Sequence, residues 1–527
     1  MPGNETQKIN FDLADLSKGD QERIEIQHPS LRKLFNYLSV TSKKAYLDSY
    51  LLSNAVFSKC DLPRRALKNY LSGEIEKEVT VFFSAKKLLR YFVKSFGWLV
   101  VHGIQGLEQW ISKQKFICNP SRQLTLIDIH LTPEQILKDG DLVDSNLPHL
   151  EERLKSKNIN YAYVPKFFGP VRFGLYYNMF RLLKKKRRPV ISCFQILGLW
   201  DYLRMIVFIV IYPFRVFRQI ALLGTLPEER LLRFFLWDTM DYTAVKNYAR
   251  QLFGRKISRL NVPSIRCISW YENQSQDKNF FRGLRSVPEK VRIFGAQLYI
   301  WPEVMLQYYI DENEKDLGLI PDRVLVNGTF FLREGSSLDI QVGPSMRYAQ
   351  LFQTKVNARE KSALLVLLSF FEYEVEKMLE MIHQAKLTTQ ILLKFHPAMD
   401  SKKYEKHVKE NMEIVEGNLY SLFQRAGCVV GATTGSLVEA ASLGIPAINI
   451  DSGLGLNHNH LPLLGKGIIW ENASTGIEIA EGINKLRSKL KADPKQVFFV
   501  SEKYKKILFC EPTDKKIDEA FELVAIS

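Results

Sequence analysis

The stretch VVGATTGSLVEAASLGIPAINI, residues 429–450, reads as an apolar strand, a small polar turn, a helix and a second apolar strand. A turn that only redirects the chain can use almost any polar residues. This one sets Thr433, Thr434 and Ser436 around Gly435, where the free backbone N–H groups of a helix start converge. Hydroxyls, a glycine and converging N–H groups are the composition of an anion-binding site.

Outward from that stretch the same alternation repeats. ALLVLLSF (363–370) predicts a strand, EYEVEKMLEMIHQAK (372–386) a helix, TTQILLKFHP (388–397) a strand and turn, and NLYSLFQRAG (418–427) a helix. Upstream of the polar stretch QTKVNAREKS (353–362), read as a linker, a second series runs through QLTLIDIHL (123–131), INYAYVPKFF (159–168), SIRCISWYEN (264–273), VRIFGAQLYI (291–300) and PDRVLVNG (321–328). Strand and helix alternation implies parallel sheets covered by helices. The expected organisation is therefore a mainly helical region at 1–120, a Rossmann-like lobe at 121–350 and a second Rossmann-like lobe at 351–527. Ligands of such sheets sit at the carboxyl ends of the strands.

Two motifs then fall at the ends of neighbouring strands of one sheet. ILLKFHP supplies Lys394, His396 and Pro397, and GATTGS supplies Thr433, Thr434, Gly435 and Ser436. Together they suit a phosphate: an imidazole with an ordinary pKa of ~6.5 becomes cationic when an anion arrives. Glu439 follows Ser436 by three residues, so Ser-x-x-Glu is either a capping box or places an acid for a ribose diol.

These residues resemble the donor-binding lobe of GT-B glycosyltransferases, particularly bacterial surface-polysaccharide enzymes. Bacterial sialyltransferases and polysialyltransferases, and the related glycerophosphotransferases, carry an HP motif and a Ser/Thr pair on the nucleotide phosphate. Here HP is His396 and Pro397, and the pair is Thr433 and Thr434 in place of the commoner double Ser. SLVEAASLGIPAINI (436–450) fits the same pattern, with Glu439 as the ribose contact. SWYENQSQDKNFFRGLR (269–285), VNG (326–328) and VGPSMRY (342–348) are similar to surface carbohydrate (capsule and lipopolysaccharide) biosynthesis proteins.

The resemblance implies a nucleotide-sugar donor, a CMP-linked acidic sugar among the candidates, and transfer to a surface polysaccharide or lipid-linked glycan without a metal or other cofactor. Glycerophosphotransferases share the HP motif. Nucleotide-sugar 2-epimerases share the two lobes but resemble SGG followed by Gln-Glu-Glu, where this chain has TTGSLVEA. A non-catalytic glycan-assembly scaffold is the alternative outside the enzymes.

Inverting transfer needs a base for the acceptor hydroxyl. Glu272 and Asp277 flank the turn after CISWYEN, and Asp139, Asp141 and Asp144 lie in KDGDLVDSN, a departure from an acidic-acidic-Gly base motif. Glu272 is favoured, against the alternative of an acid serving a helix N-terminus. Asn327, Arg347 and Tyr348 are further cleft candidates. His458 and His460 in LNHNH lack the companions a metal site requires and read as loop residues that border the sugar pocket.

Composition narrows the partners. The 527 residues carry 73 Lys and Arg against 57 Asp and Glu, a formal charge of +16, which favours acidic ligands. The basic residues are dispersed and not interleaved with stacking aromatics on strands, which argues against nucleic acid. Cysteines at 60, 118, 193, 267, 428 and 510 show no paired spacing and read as reduced thiols.

The N-terminus lacks a signal-peptide pattern and no run is long enough to span a bilayer, so a cytoplasmic protein is expected. The basic run Lys184–Arg188 precedes a long apolar stretch with Trp200, Tyr202, Phe208, Tyr212 and Phe214. Residues 184–220 suit either a core helix or a helix in contact with anionic membrane at the inner face of the cytoplasmic membrane.

Overall fold

A computed structural model describes residues 23–26, 28–45, 70–73, 85–116, 119–169, 172–333, 335–356, 361–396, 399–453 and 458–523. The expectations for 1–22 and most of 46–84, and for Cys60, Cys118 and Pro397, lie outside the described residues.

The apolar runs form two six-stranded parallel sheets. The first contains β1 (Leu124–Asp128), β3 (Tyr161–Tyr163), β5 (Ile265–Trp270), β6 (Val291–Gln297), β7 (Arg323–Val326) and β8 (Ile340–Val342), in the spatial order β3-β1-β5-β6-β7-β8. A short parallel pair, β2 (His130–Leu131) and β4 (Lys166–Phe167), extends β1 and β3 beyond the sheet. The second contains β9 (Ala363–Leu367), β10 (Ile391–Lys394), β11 (Met412–Ile414), β12 (Ala426–Gly431), β13 (Ala447–Ile450) and β14 (Trp470–Ala473), in the order β11-β10-β9-β12-β13-β14.

Strands β1, β9, β12 and β13 are buried at every position, which is why they read as continuous apolar runs and not as alternating ones. The direction of winding reverses between β1 and β5 in the first sheet and between β9 and β12 in the second. Such reversals open a crevice at the carboxyl ends of the strands. The two crevices face each other, and the chain has the α/β GT-B architecture of two Rossmann-like lobes about a cleft.

The last segment, expected with the rest of 351–527 in the second lobe, packs on the first instead. Arg153 of the first lobe donates to Asp518 at 2.8 Å and Arg266 to the Glu522 carbonyl at 2.7 Å. Helix Asp514–Phe521 thus packs on the first sheet, and its charges find their partners there. The VNG turn receives the returning chain. Asn327 donates to the Leu508 carbonyl at 2.8 Å, and a Cβ on Gly328 would sit 2.4 Å from the Ile507 carbonyl oxygen, so only glycine fits.

Candidate active site

On the first lobe the site starts from a buried charge network under the end of β5. Asp277 is fully buried; its Oδ1 accepts from Lys166 at 2.6 Å, and Lys166 lies 3.2 Å from Asp128, which also pairs with Arg250 at 2.8 Å. Two carboxylates and two cations balance, the condition under which buried charge is tolerated. The other Asp277 oxygen accepts the backbone N–H groups of Glu272 at 3.2 Å and Gln274 at 3.0 Å.

Asn273 completes the turn in a left-handed conformation, φ 54°, which asparagine tolerates better than most residues. Its side chain accepts from Tyr271 Oη at 2.7 Å and donates to the Gln307 carbonyl. The role of a helix N-terminal acid therefore belongs to Asp277, and Glu272 is held out of it.

The Glu272 carboxyl lines the cleft, accepting from Trp270 Nε1 at 3.0 Å and from Gln274 Nε2 at 2.5 Å. Burial raises its pKa above the ordinary glutamate value. His130 Nδ1 is 4.0 Å from Glu272 Oε1, and burial, with the Lys166 charge, lowers this imidazole to about 3. The ring is thus neutral, and its Nε2, 2.8 Å from the Gln276 amide nitrogen, accepts from it, leaving the proton on the nitrogen nearer Glu272.

On the second lobe, β10 ends in Lys394 and is followed by Phe395 and His396, while β12 leads into Thr433–Ser436. β9 lies between these two strands, so the motifs are one strand further apart than adjacent neighbours, and Ser369 and Phe370 after β9 fill the space between them. Lys394 Nζ donates to the Gly417 carbonyl at 2.9 Å. The pKa of His396 is lowered by partial burial and then by the Arg347 charge from the opposite lobe.

The Thr433–Ser436 turn is strained. Thr433 has φ 52°, an outlier for a β-branched residue. Its hydroxyl donates to Glu374 at 3.0 Å, so it anchors the turn, and the Thr434 hydroxyl accepts the Ser436 N–H at 3.2 Å. The capping box does not form. Gly435 is the N-cap of helix Ser436–Ser442, which places Glu439 one position beyond the box. Glu439 is buried, accepts from Tyr420 Oη at 2.6 Å, and has a pKa raised by burial.

Both lobes line one cavity of about 460 Å³. Trp270, Glu272, Tyr299, Arg347 and Tyr348 face it from the first lobe, and Lys394, His396, Thr433, Thr434, Gly435, Ser436 and Glu439 from the second. Arg347 is exposed in this cavity between two buried neighbours, with its guanidinium 5.9 Å from the Trp270 ring centroid. Among the described residues it has no carboxylate partner, so its charge is available to an anion.

The remaining candidates lie elsewhere. Asp141 is paired with Arg188 at 2.7 Å, Asp144 caps the turn at Asn146 and Leu147, and neither these nor Asp139 lines the cavity. His460 packs behind Gly435, its ring carbon 3.8 Å from where a Cβ would stand. Among the described residues no group of three His, Cys, Asp or Glu is placed to hold a metal ion.

Sequence reading missed His130, because LIDIHL reads as one strand, whereas Ile129 interrupts it and sets the histidine beyond the sheet. It also missed Tyr420 and Glu374, which reach the site from helices preceding β12 and β10.

No family model matches the chain, and no curated protein matches it by sequence. Among solved structures it is similar to MurG of Acinetobacter baumannii, at 10% identity and TM-score 0.40 over 76% of this chain and 99% of that one. It is also similar to the UDP-GlcNAc 2-epimerase of Neisseria meningitidis bound to UDP-GlcNAc, at 9% identity and TM-score 0.43 over 76% of this chain and 100% of the other. The glycosyltransferase SnogD of Streptomyces nogalater matches at 10% identity and TM-score 0.39 over 77% and 100%.

Proposed function

We propose that the chain is a glycosyltransferase that moves a sugar from a nucleotide donor to a surface polysaccharide or lipid-linked glycan at the inner face of the cytoplasmic membrane. One observation carries the reading: an available cation and a raised carboxyl from one lobe share a cavity with a hydroxyl-rich turn and an imidazole from the other. Donor phosphate would lie between Arg347, His396 and the Thr433–Ser436 turn, with Lys394 beside it. Glu439, oriented by Tyr420, would take the ribose diol.

Glu272 is then the base. Its raised pKa suits proton abstraction from an acceptor hydroxyl, and Trp270 and Gln274 fix the direction of the carboxyl. Charge that develops on the departing phosphate meets Arg347 and His396, so the reaction needs no metal. The HP motif and the Thr434 hydroxyl, which accepts from Ser436 N and keeps its own proton to donate while the Thr433 hydroxyl is committed to Glu374, favour a CMP-linked acidic sugar, for which a cationic cleft is suited.

A thermal-shift panel of CMP, CDP, UDP and GDP, followed by product analysis with the labelled sugar of the stabilising nucleotide, tests this. Selective stabilisation by CMP that is lost in His396→Ala, with labelled glycan formed, supports it. Stabilisation by UDP or GDP overturns the donor. A free epimerised sugar or a transferred glycerophosphate overturns the reaction class, and nucleotide binding without turnover favours a scaffold.

A further inference from the structure

The helix Ala85–Ser112 is built with its polar side inward. It buries Ser95, His102, Gln105, Glu108, Gln109 and Ser112, and exposes Leu89, Val93, Phe96, Val100, Ile104, Leu107, Trp110 and Ile111 on the opposite face. The exposed residues recur every three or four positions, a continuous stripe along a helix about 42 Å long. The inward polar groups are committed to the fold. Glu108 accepts the N–H groups of Gly174 at 2.7 Å and Tyr177 at 3.0 Å, and His102 Nδ1 is 2.8 Å from Tyr202 Oη. Rotating the helix to hide its apolar stripe would strand these groups, so the stripe stays outside.

A second helix continues the face. Leu199–Ala221 packs antiparallel to the first, with Tyr91 Oη donating to the Ile209 carbonyl at 3.0 Å near one end and His102 meeting Tyr202 near the other. It buries Met205, Phe208, Ile209, Tyr212 and Val216, and exposes Leu199, Trp200, Leu203, Val207, Val210 and Phe214. The apolar part of 184–220 is therefore a core helix on one side and an exposed apolar surface on the other, whereas the basic run Lys184–Arg188 closes the preceding helix Leu175–Lys185 and its Arg188 pairs with Asp141. Half of the combined face comes from Ala85–Ser112.

The surroundings identify the occupant. Between Ser95 and Ser112 the only charged residue is Glu108, which is buried, and Arg204 is the only charged residue within the exposed stripe of the second helix before Phe214. Basic residues gather at the ends: exposed Lys86 and Arg90 beside exposed Arg215, and exposed Lys113 and Lys115 at the far end. Trp110 and Trp200 are 75% and 76% exposed at that same far end, the disposition of indole rings in a membrane interface. No described helix is long and apolar enough to cross a membrane.

We propose that helices Ala85–Ser112 and Leu199–Ala221 form one face that lies in the surface of a bilayer containing anionic lipid. The apolar stripes enter the interface and the basic ends meet the headgroups. This does not depend on the transferase reading.

The test uses the full chain with vesicles of phosphatidylcholine alone and of phosphatidylcholine with phosphatidylglycerol. The protein is expected to sediment with the anionic vesicles and its tryptophan emission to shift to the blue. Trp110→Phe with Trp200→Phe should bind but lose the shift. Val100→Glu with Phe214→Glu, both at exposed positions, should abolish sedimentation while the far-UV circular dichroism and the thermal unfolding midpoint stay those of the wild type. Lys86→Gln, Arg90→Gln and Arg215→Gln should weaken binding roughly fivefold each. Wild-type protein that stays in solution with both vesicles overturns the proposal, as does wild-type binding by the glutamate variant. Conversion of a dimer to a monomer by that variant, with no effect on sedimentation, also overturns it and assigns the face to a second copy.

Discussion

Asp277 accepts the backbone N–H of Glu272 at 3.2 Å, so the carboxyl that faces the cleft is held by a buried one that does not. Lys166 joins Asp277 to Asp128 at the base of the same turn. Removing this cation leaves two buried carboxylates with only Arg250 between them. Lys166→Met is expected to destabilise the protein by about 3–5 kcal/mol, because breaking a buried ion pair on one side leaves uncompensated charge. Urea unfolding of the variant and the wild type gives the difference.

Glu272→Gln separates binding from turnover. The amide keeps the shape of the side chain but cannot take a proton, so kcat should fall about 10²- to 10⁴-fold with nucleotide stabilisation unchanged. Burial raises the Glu272 pKa, so wild-type kcat/KM should decline, as pH falls, at a pH above the ordinary glutamate value. Protonation of the base removes activity on that limb, and the residual rate of the variant should not show it. Full activity in Glu272→Gln would exclude it as the base.

The two sheets were legible because strands buried on both faces must be apolar throughout, and the Gly- and hydroxyl-containing turns punctuate them. Which motifs share a crevice was legible only in part, since β9 separates β10 from β12 and no local pattern encodes that order. Spacing suggested a capping box at Ser436 and Glu439. The helix starts one residue earlier than that motif requires, and Glu439 turns to Tyr420, 19 residues away in sequence. Thr433 is tied to Glu374, 59 residues away, for the same reason: side-chain partners across elements leave no periodic trace. In Ala85–Ser112 the two faces follow from periodicity, but which one looks outward depends on partners such as Gly174 and Tyr202.

Arg347 reaches across the cleft electrostatically. Its charge is one of two causes that hold the His396 pKa down, burial being the larger. Arg347→Gln should therefore raise the His396 pKa, which NMR titration of the imidazole would register without any substrate. The same variant should weaken nucleotide binding about 10- to 100-fold, the range for losing a charge-assisted hydrogen bond to phosphate. An unchanged His396 titration would separate the two residues and weaken the case for a shared phosphate.

His396 itself should make nucleotide binding pH-dependent. In the free protein its pKa lies below the ordinary histidine value, so the ring is neutral near neutral pH. An unfolded chain takes up this proton at ~6.5, so as pH falls through that value the unfolded state binds more protons and the free protein loses stability. Bound phosphate favours the imidazolium and reverses the balance, taking up a proton as it binds. Affinity for a nucleotide sugar, whose phosphodiester groups do not titrate in this range, should therefore rise as pH falls from 8 toward 6. In His396→Ala the slope should disappear, while the free-protein destabilisation should shrink only by the share of His396, because burial also holds His102, His130 and His460 below the ordinary histidine value; calorimetry in buffers of different ionisation enthalpy would count the proton. A slope that survives in the variant would place the titrating group elsewhere in the cleft and remove His396 from the phosphate.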